Sequence, residues 1–152
     1  MTTTTFRAAT SGEGPALTDL ALRSKSFWHY PQDYLDKCRP FLTIDERYIH
    51  EWPVVVIENS GQIIGFFSLK IISGEKRLDN LWIDCPYIGK GFGELAIKTA
   101  IEKAKALGWT HFYLASEPKA VSFYEKYGGT VVGQIQSRLI KDLILPHIKF
   151  MF

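Results

Sequence analysis

Tyr87-Ile88-Gly89-Lys90-Gly91-Phe92-Gly93 is the most informative run of residues in the chain. It lies between an apolar segment and the repeating pattern of an amphipathic helix, so its alternate glycines stand where that helix begins. The first turn of a helix has unpaired backbone N–H groups and carries the positive end of the helix dipole. Glycines let a phosphate approach these N–H groups without contacting a Cβ atom. The run therefore predicts a binding site for a phosphate-bearing cofactor.

Two other glycine motifs are excluded by the residues that follow. The dinucleotide-binding pattern Gly-x-Gly-x-x-Gly, started at Gly89 or Gly91, needs its last glycine at Glu94 or Ala96. A nucleotide P-loop needs a lysine followed by Ser or Thr, whereas Lys90 is followed by glycine. Neither a dinucleotide nor a nucleoside triphosphate is therefore the expected ligand.

The run resembles the signature Gln/Arg-x-x-Gly-x-Gly/Ala of the GNAT superfamily of N-acetyltransferases, with Ile88 where the family usually has Gln or Arg. A second resemblance lies in 120–129, which is similar to the family's Ala-x-x-Phe-Tyr-x-x-x-Gly-Phe segment, with Gly129 in place of the final aromatic residue. The resemblance implies that the chain binds acetyl-coenzyme A as co-substrate. The residues that it assigns to the cofactor are Leu81, Trp82, Ile83, Gly89, Lys90, Gly91, Phe92, Gly93, Glu94, Glu117 and Tyr124.

These residues have different expected roles. In the family, the tyrosine that matches Tyr124 donates a proton or a hydrogen bond to the departing coenzyme A thiolate. The strand at 80–83 resembles the one whose main chain pairs with the pantetheine arm and polarises the thioester carbonyl. Glu117 stands where many relatives have an Asn that binds pantetheine, and it could instead cap the helix that begins at Pro118.

The base that accepts the amine's proton is less clearly marked. Asp79 lies two residues before Leu81 and, in a regular strand, on the same face, which makes it the first candidate. Glu75 and Asp84 are the alternatives, and water alone could also carry the proton away. The expected reaction is direct attack of a primary amine on the thioester in a ternary complex. The alternative function is a non-catalytic coenzyme A-binding sensor or interaction module with the same fold.

The acceptor site is expected near the connection between the first two helices. Trp28, His29 and Tyr30 could line a pocket for the acceptor, or they could cover the sheet. Nothing in the residues distinguishes a polyamine, an amino acid, an aminoglycoside-like amine or a protein N-terminus. No metal site is expected, because His147 has no obvious second ligand.

Composition indicates a single domain over residues 1–152. Hydrophobic residues make up 46% and charged residues 22%, which is ordinary globular usage. The formal net charge of +2 comes from interspersed lysines and acids, so no nucleic-acid partner is indicated. Apolar runs are too short to span a bilayer, and the N-terminus has no signal-peptide core, so a cytoplasmic protein with reduced Cys38 and Cys85 is expected. The C-terminal edge strand could support a homodimer.

The apolar periodicity predicts strands and helices in the order β-α-α-β-β-β-α-β-α-β-β. This order resembles the GNAT arrangement, which implies an α/β (α+β) fold with a mixed, mostly antiparallel sheet of about seven strands and about four helices. Residues 1–5 are expected to be disordered, and 43–52 carry no clear pattern. The predicted strands are 6–10, 54–57, 62–72, 78–83, 111–115, 130–136 and 145–152. The predicted helices follow 11–15 and span 32–41, 92–107 and 118–127.

Overall fold

The computed structural model describes residues 3–137 and 143–152, which form one mixed sheet of seven strands with helices on both faces. The strand order is β1-β2-β3-β4-β5-β7-β6, and the one parallel pair in this described part is β4 with β5. The strands are Thr4–Ala8 (β1), Val54–Asn59 (β2), Gln62–Ile72 (β3), Glu75–Ile83 (β4), His111–Ala115 (β5), Thr130–Gln136 (β6) and Ile144–Met151 (β7). The mixed, mostly antiparallel sheet that was predicted is confirmed.

Five α-helices, rather than about four, occur in the described residues. They are Gly14–Ser26 (α1), Gln32–Leu42 (α2), Glu46–Glu51 (α3), Phe92–Ala106 (α4) and Val121–Lys126 (α5). The additional helix, α3, lies in the segment that carried no clear pattern. It begins at a side-chain cap, where the Asp45 carboxylate accepts a hydrogen bond from the Tyr48 N–H at 2.8 Å. Tyr48 and Ile49 pack against the cluster on the α1 face, but six residues are too few for an apolar stripe to recur.

Two terminal boundaries also differ from the prediction. Thr4 and Thr5 belong to β1, where they pair with Asn59 and Glu58, so the expectation of disorder was wrong for these two residues. Met1 and Thr2 lie outside the described residues. The helix predicted from Pro118 begins instead as a 3-10 turn, and α-helical geometry starts at Val121.

The core has two layers because successive residues of a strand point to opposite faces of the sheet. Val54 and Val56 of β2 pack with Leu17 and Leu20 of α1 on one face. Val55 faces the other side, in a cluster that includes three buried residues of α4. These are Ile97, Ala100 and Ala104, which recur at helical spacing. The sheet thus separates an α1 face from an α4 face.

A β-bulge interrupts β4 near its middle. Ser68 pairs with Asn80 and Leu69 pairs with Leu78, so Asp79 is the extra residue of β4. In the described residues, β4 pairs with β5 at the single position Arg77↔Tyr113. The two strands diverge beyond that point, and they leave one edge of β4 open from Leu78 onward.

Candidate active site

A cleft of about 840 Å³ lies where β4 and β5 diverge. Its walls come from α1, β4, the glycine run, α5 and the segment that follows β5. The predicted site residues that line it are Trp28, Asp79, Leu81, Trp82, Ile83, Gly89, Gly91, Gly93, Glu94, Glu117 and Tyr124. Residues distant in sequence are thus brought to one cavity, which is the size of a small-molecule site.

Four predicted site residues do not line this cleft. His29 is exposed and has a positive φ of 62°, and Lys90 is also exposed. Phe92 packs edge-to-face on Tyr87, with ring centres 5.9 Å apart. Tyr30 is half-buried, and its hydroxyl donates a hydrogen bond to Glu117 of the cleft lining.

The open edge of β4 exposes the main chain of alternate residues. The Asp84 N–H donates to the Ile64 carbonyl at 2.8 Å, and the Trp82 carbonyl lies 2.6 Å from the position that a Cβ on Gly65 would occupy. Both groups therefore face β3. Because main-chain direction alternates along a strand, Leu81 and Ile83 turn their N–H and C=O groups toward the cleft. The prediction of three consecutive backbone ligands is thus corrected for Trp82, whose indole N–H donates to Asn80 at 2.9 Å.

The glycine run joins β4 to α4 through two residues in the left-handed region. Gly89 has φ 80° and Gly91 has φ 90°, and no atom lies within 4 Å of a Cβ built on either. Their conformation favours glycine, and the space beside them is open for a ligand. The N–H groups of the first turn of α4, which begins at Phe92, have no intrahelical acceptor and can bind an anion.

Gly93 and Ile88 have packing roles beside the start of α4. A Cβ on Gly93 would lie 3.0 Å from Cζ of Phe123, so the absence of a side chain lets α4 approach α5 closely. Ile88, in the position where Gln or Arg was expected, packs against the apolar cluster that contains Ile83 and Ala96. Ile88 also lines the cleft, where its side chain offers no polar contact.

Tyr124 of α5 lines the cleft between aromatic neighbours. Its ring centre lies 5.1 Å from that of Phe123 and 6.2 Å from that of Phe150. Burial raises the pKa of the Tyr124 phenol well above its usual value, and the negative charge of Glu117 raises it further. The phenol consequently stays protonated at neutral pH and is available as a hydrogen-bond donor.

Glu117 is held by two donors from the other side of the cleft. It accepts hydrogen bonds from Lys25 Nζ and from the Tyr30 hydroxyl. It makes no side-chain hydrogen bond to the following turn, so the capping role considered from the sequence was wrong. Burial and the Glu117 charge both raise the pKa of Tyr30, which keeps its hydroxyl a donor.

Lys25 is a site residue that sequence reasoning missed. Its side chain is 7% exposed, and Nζ lies 4.9 Å from the ring centre of Tyr30, 5.5 Å from that of Tyr34 and 6.0 Å from that of Trp82. The carboxylate and the ring faces together stabilise this buried cation. Its position in the sequence could have indicated this role, because Lys25 lies four residues after Ala21 and therefore on the buried face of α1.

Asp79 is held by Tyr48 of α3. The Tyr48 hydroxyl donates to Asp79 Oδ2 at 2.5 Å and lies 2.8 Å from Ser68 Oγ. Burial and the Asp79 charge raise the pKa of Tyr48, so its hydroxyl remains protonated. Because of the bulge, Asp79 does not share a face with Leu81: Leu81 packs on the α4 side, while the Tyr48 ring packs on the α1 side. The prediction of a shared face was wrong.

The two other base candidates are engaged elsewhere. Asp84 forms an ion pair with Arg23 at 3.0 Å and accepts the N–H of Cys85. Glu75 lies 2.9 Å from His147 Nε2. In the described part of the chain, no group of three His, Cys, Asp or Glu side chains could hold a metal ion, and no helix is long and apolar enough to span a membrane.

Comparison with known proteins identifies the family. The profile of the Acetyltransferase (GNAT) family matches residues 16–138. This chain belongs to the GNAT acetyltransferase family. The match covers the glycine run, the open edge of β4 and α5, so it includes the elements that build the cleft.

Individual relatives are distant. The uncharacterized protein YyaT of Bacillus subtilis (strain 168) is 26% identical over 113 residues, which cover 74% of this chain and 71% of that protein. A GCN5-related N-acetyltransferase structure from Rhodopseudomonas palustris has a TM-score of 0.81 at 16% identity and covers 99% of this chain and 96% of that one. The PaiA N-acetyltransferase of Thermoplasma acidophilum, solved in complex with coenzyme A, has a TM-score of 0.78 at 18% identity over 99% of both chains. These structures show that the GNAT fold extends along nearly the whole chain.

Proposed function

We propose that this protein transfers an acetyl group from acetyl-coenzyme A to a primary amine by direct attack in a ternary complex. The observation that carries the proposal is the convergence of three features on one cleft. These are the open edge of β4, the glycine-rich start of α4 and the protonated phenol of Tyr124. Each suits a different part of a thioester cofactor.

The cofactor would follow the α4 face of the cleft. Its pyrophosphate would accept hydrogen bonds from the main chain at Gly89, Gly91 and the first turn of α4. The amides of its pantetheine arm would pair with the open main chain of Leu81 and Ile83, as an added short strand does. This placement brings the thioester toward the point where β4 and β5 separate, beside Tyr124.

The reaction needs one nucleophile and two proton transfers. The neutral amine attacks the thioester carbonyl, the carbon–sulfur bond breaks, and the thiolate takes up the proton or hydrogen bond offered by Tyr124. The amine's proton leaves through Asp79 or through water in the cleft. The acceptor would enter from the α1 face, past Trp28, with Tyr30 acting through Glu117 and not by direct contact.

Release of free thiol from acetyl-coenzyme A across a panel of primary amines tests this proposal. Tyr124→Phe should lower kcat much more than it weakens coenzyme A binding, because the phenol acts late in the reaction. Tyr113→Phe is the matched control, since Tyr113 lies outside the cleft lining and stacks on His147 with ring centres 5.0 Å apart. Unchanged turnover in Tyr124→Phe with a good acceptor would remove the phenol from the mechanism.

A non-catalytic coenzyme A-binding module is the second candidate. Two observations favour it: Ile88 contributes packing where the family usually has a polar side chain, and Glu117 is engaged by Lys25 and Tyr30. Calorimetry that shows coenzyme A binding, together with no thiol release for any amine, would select this function over catalysis.

A further inference from the structure

One arginine enters the acceptor side of the cleft from β4. Arg77 lines the cleft, and its side chain is only 16% exposed. The next residue, Leu78, is buried in the cluster on the α4 face, so Arg77 projects to the α1 face, where the acceptor would enter. A half-buried guanidinium, with its Nε atom fully buried, therefore lies in the part of the cleft that the cofactor does not need.

The guanidinium of Arg77 is only partly satisfied. Its Nε lies 3.3 Å from Glu75 Oε1 but is buried without a hydrogen-bond partner, and the same carboxylate oxygen lies 2.9 Å from His147 Nε2. Neither terminal nitrogen of Arg77 makes a hydrogen bond to residues 3–137 or 143–152. Lys25, the other buried cation of the cleft, is by contrast fully engaged by Glu117 and aromatic rings.

Besides the ion pair with Glu75, the guanidinium can take a further acceptor, and the cofactor's pyrophosphate is too far away to supply it. Arg77 and Ile83 are six residues apart on one strand, which corresponds to about 20 Å, and the glycine run begins beyond Ile83. An anion on the acceptor itself would supply this further acceptor.

We propose that Arg77 binds a carboxylate of the acceptor, so that the substrates are aminocarboxylates. The planar fork of a guanidinium matches a carboxylate with two parallel hydrogen bonds. Apolar side chains also line the cleft and would strengthen this pair by excluding water. They are Phe41, Leu42, Ile72 and Leu145. The inference rests on the proposed acetyl transfer and names its acceptor class.

Matched pairs of acceptors test the inference. Each pair is an amino acid and its carboxamide, and the amine-to-carboxylate spacing varies from α- to ω-amino acids. With the unmodified protein, kcat/KM for the preferred acid should exceed that for its amide roughly 10- to 100-fold, mostly through KM. In Arg77→Gln this ratio should fall to near one. Arg39→Gln, at an exposed arginine outside the cleft, should retain the ratio.

The possible failures are distinguishable. Turnover of amides equal to that of acids in the unmodified protein would overturn the carboxylate inference and leave acetyl transfer intact. Retention of the acid preference in Arg77→Gln, with coenzyme A affinity showing that the variant is folded, would also overturn it. Absence of thiol release with every amine would instead refute the proposed acetyl transfer.

Discussion

In the proposed site, Gly91 has two roles at the start of α4: it adopts a left-handed backbone conformation, and it leaves room for the pyrophosphate of the cofactor. Two substitutions at this position separate these roles. Gly91 has φ 90° with no atom within 4 Å of its Cβ position, so Gly91→Ala should meet no clash and should only strain the backbone. The left-handed conformation costs a non-glycine residue roughly 1–2 kcal/mol. For a chain of this size, each kcal/mol lowers Tm by about 2–4 °C.

Gly91→Asp adds a charge effect to the same strain. A carboxylate about 4 Å from the pyrophosphate repels it by about 4 kcal/mol at an effective dielectric constant of 20. This corresponds to a roughly thousandfold weaker affinity for coenzyme A. Calorimetric titration with coenzyme A measures the affinity, and thermal denaturation measures the strain.

Gly108→Ala is the matched control. Gly108 follows the other end of α4 with φ 83° and likewise has no atom within 4 Å of its Cβ position. It should therefore show the same loss of Tm with unchanged coenzyme A affinity. If Gly91→Asp bound coenzyme A as tightly as Gly108→Ala, the anion site would not lie at the start of α4.

Three further predictions concern stability. Glu117→Gln should lower the free energy of unfolding by about 3–5 kcal/mol, because it leaves the Lys25 cation buried without its counter-ion, and urea denaturation measures the loss. Tyr48→Phe should lower the free energy of unfolding by about 1–3 kcal/mol, because it removes the hydrogen-bond donor to the Asp79 carboxylate. An unchanged urea midpoint would contradict a stabilising role for this hydrogen bond. The Arg7 guanidinium lowers the pKa of Glu13 from 4.5 to about 2, so stability present above pH 4.5 should be lost as pH falls toward 2. With solvent screening included, the Arg7–Glu13 pair contributes about 1 kcal/mol to the free energy of unfolding. A Glu13→Gln variant should lack this part of the pH dependence.

The fold was largely predictable because its main signals are local. β3 and β5 have the bounds that their apolar patterns predicted. Gly91 and Gly108 flank α4, and both have the positive φ that makes glycine a good marker of a helix end. The short helix α3 escaped prediction, because its six residues are too few to show an apolar repeat and its start depends on the single side-chain cap of Asp45.

The polar contacts of the cleft were not predictable from local pattern. Lys25 and Glu117 are 92 residues apart, and Tyr48 and Asp79 are 31 apart, so each pair exists only after the sheet has formed. The bulge at Asp79 depends on how β4 pairs with β3, and it changes which side chains share a face. The assigned roles of these residues therefore rest on tertiary geometry, while the proposed anion site was predicted from the glycine run alone.

A crystal structure of the complex with acetyl-coenzyme A would test the cofactor placement. We expect the pyrophosphate within hydrogen-bond distance of the N–H groups between Gly89 and Glu94, with pantetheine amides paired to Leu81 and Ile83. An unoccupied glycine run, or a cofactor bound elsewhere on the protein, would contradict the proposed site and the acetyl transfer derived from it.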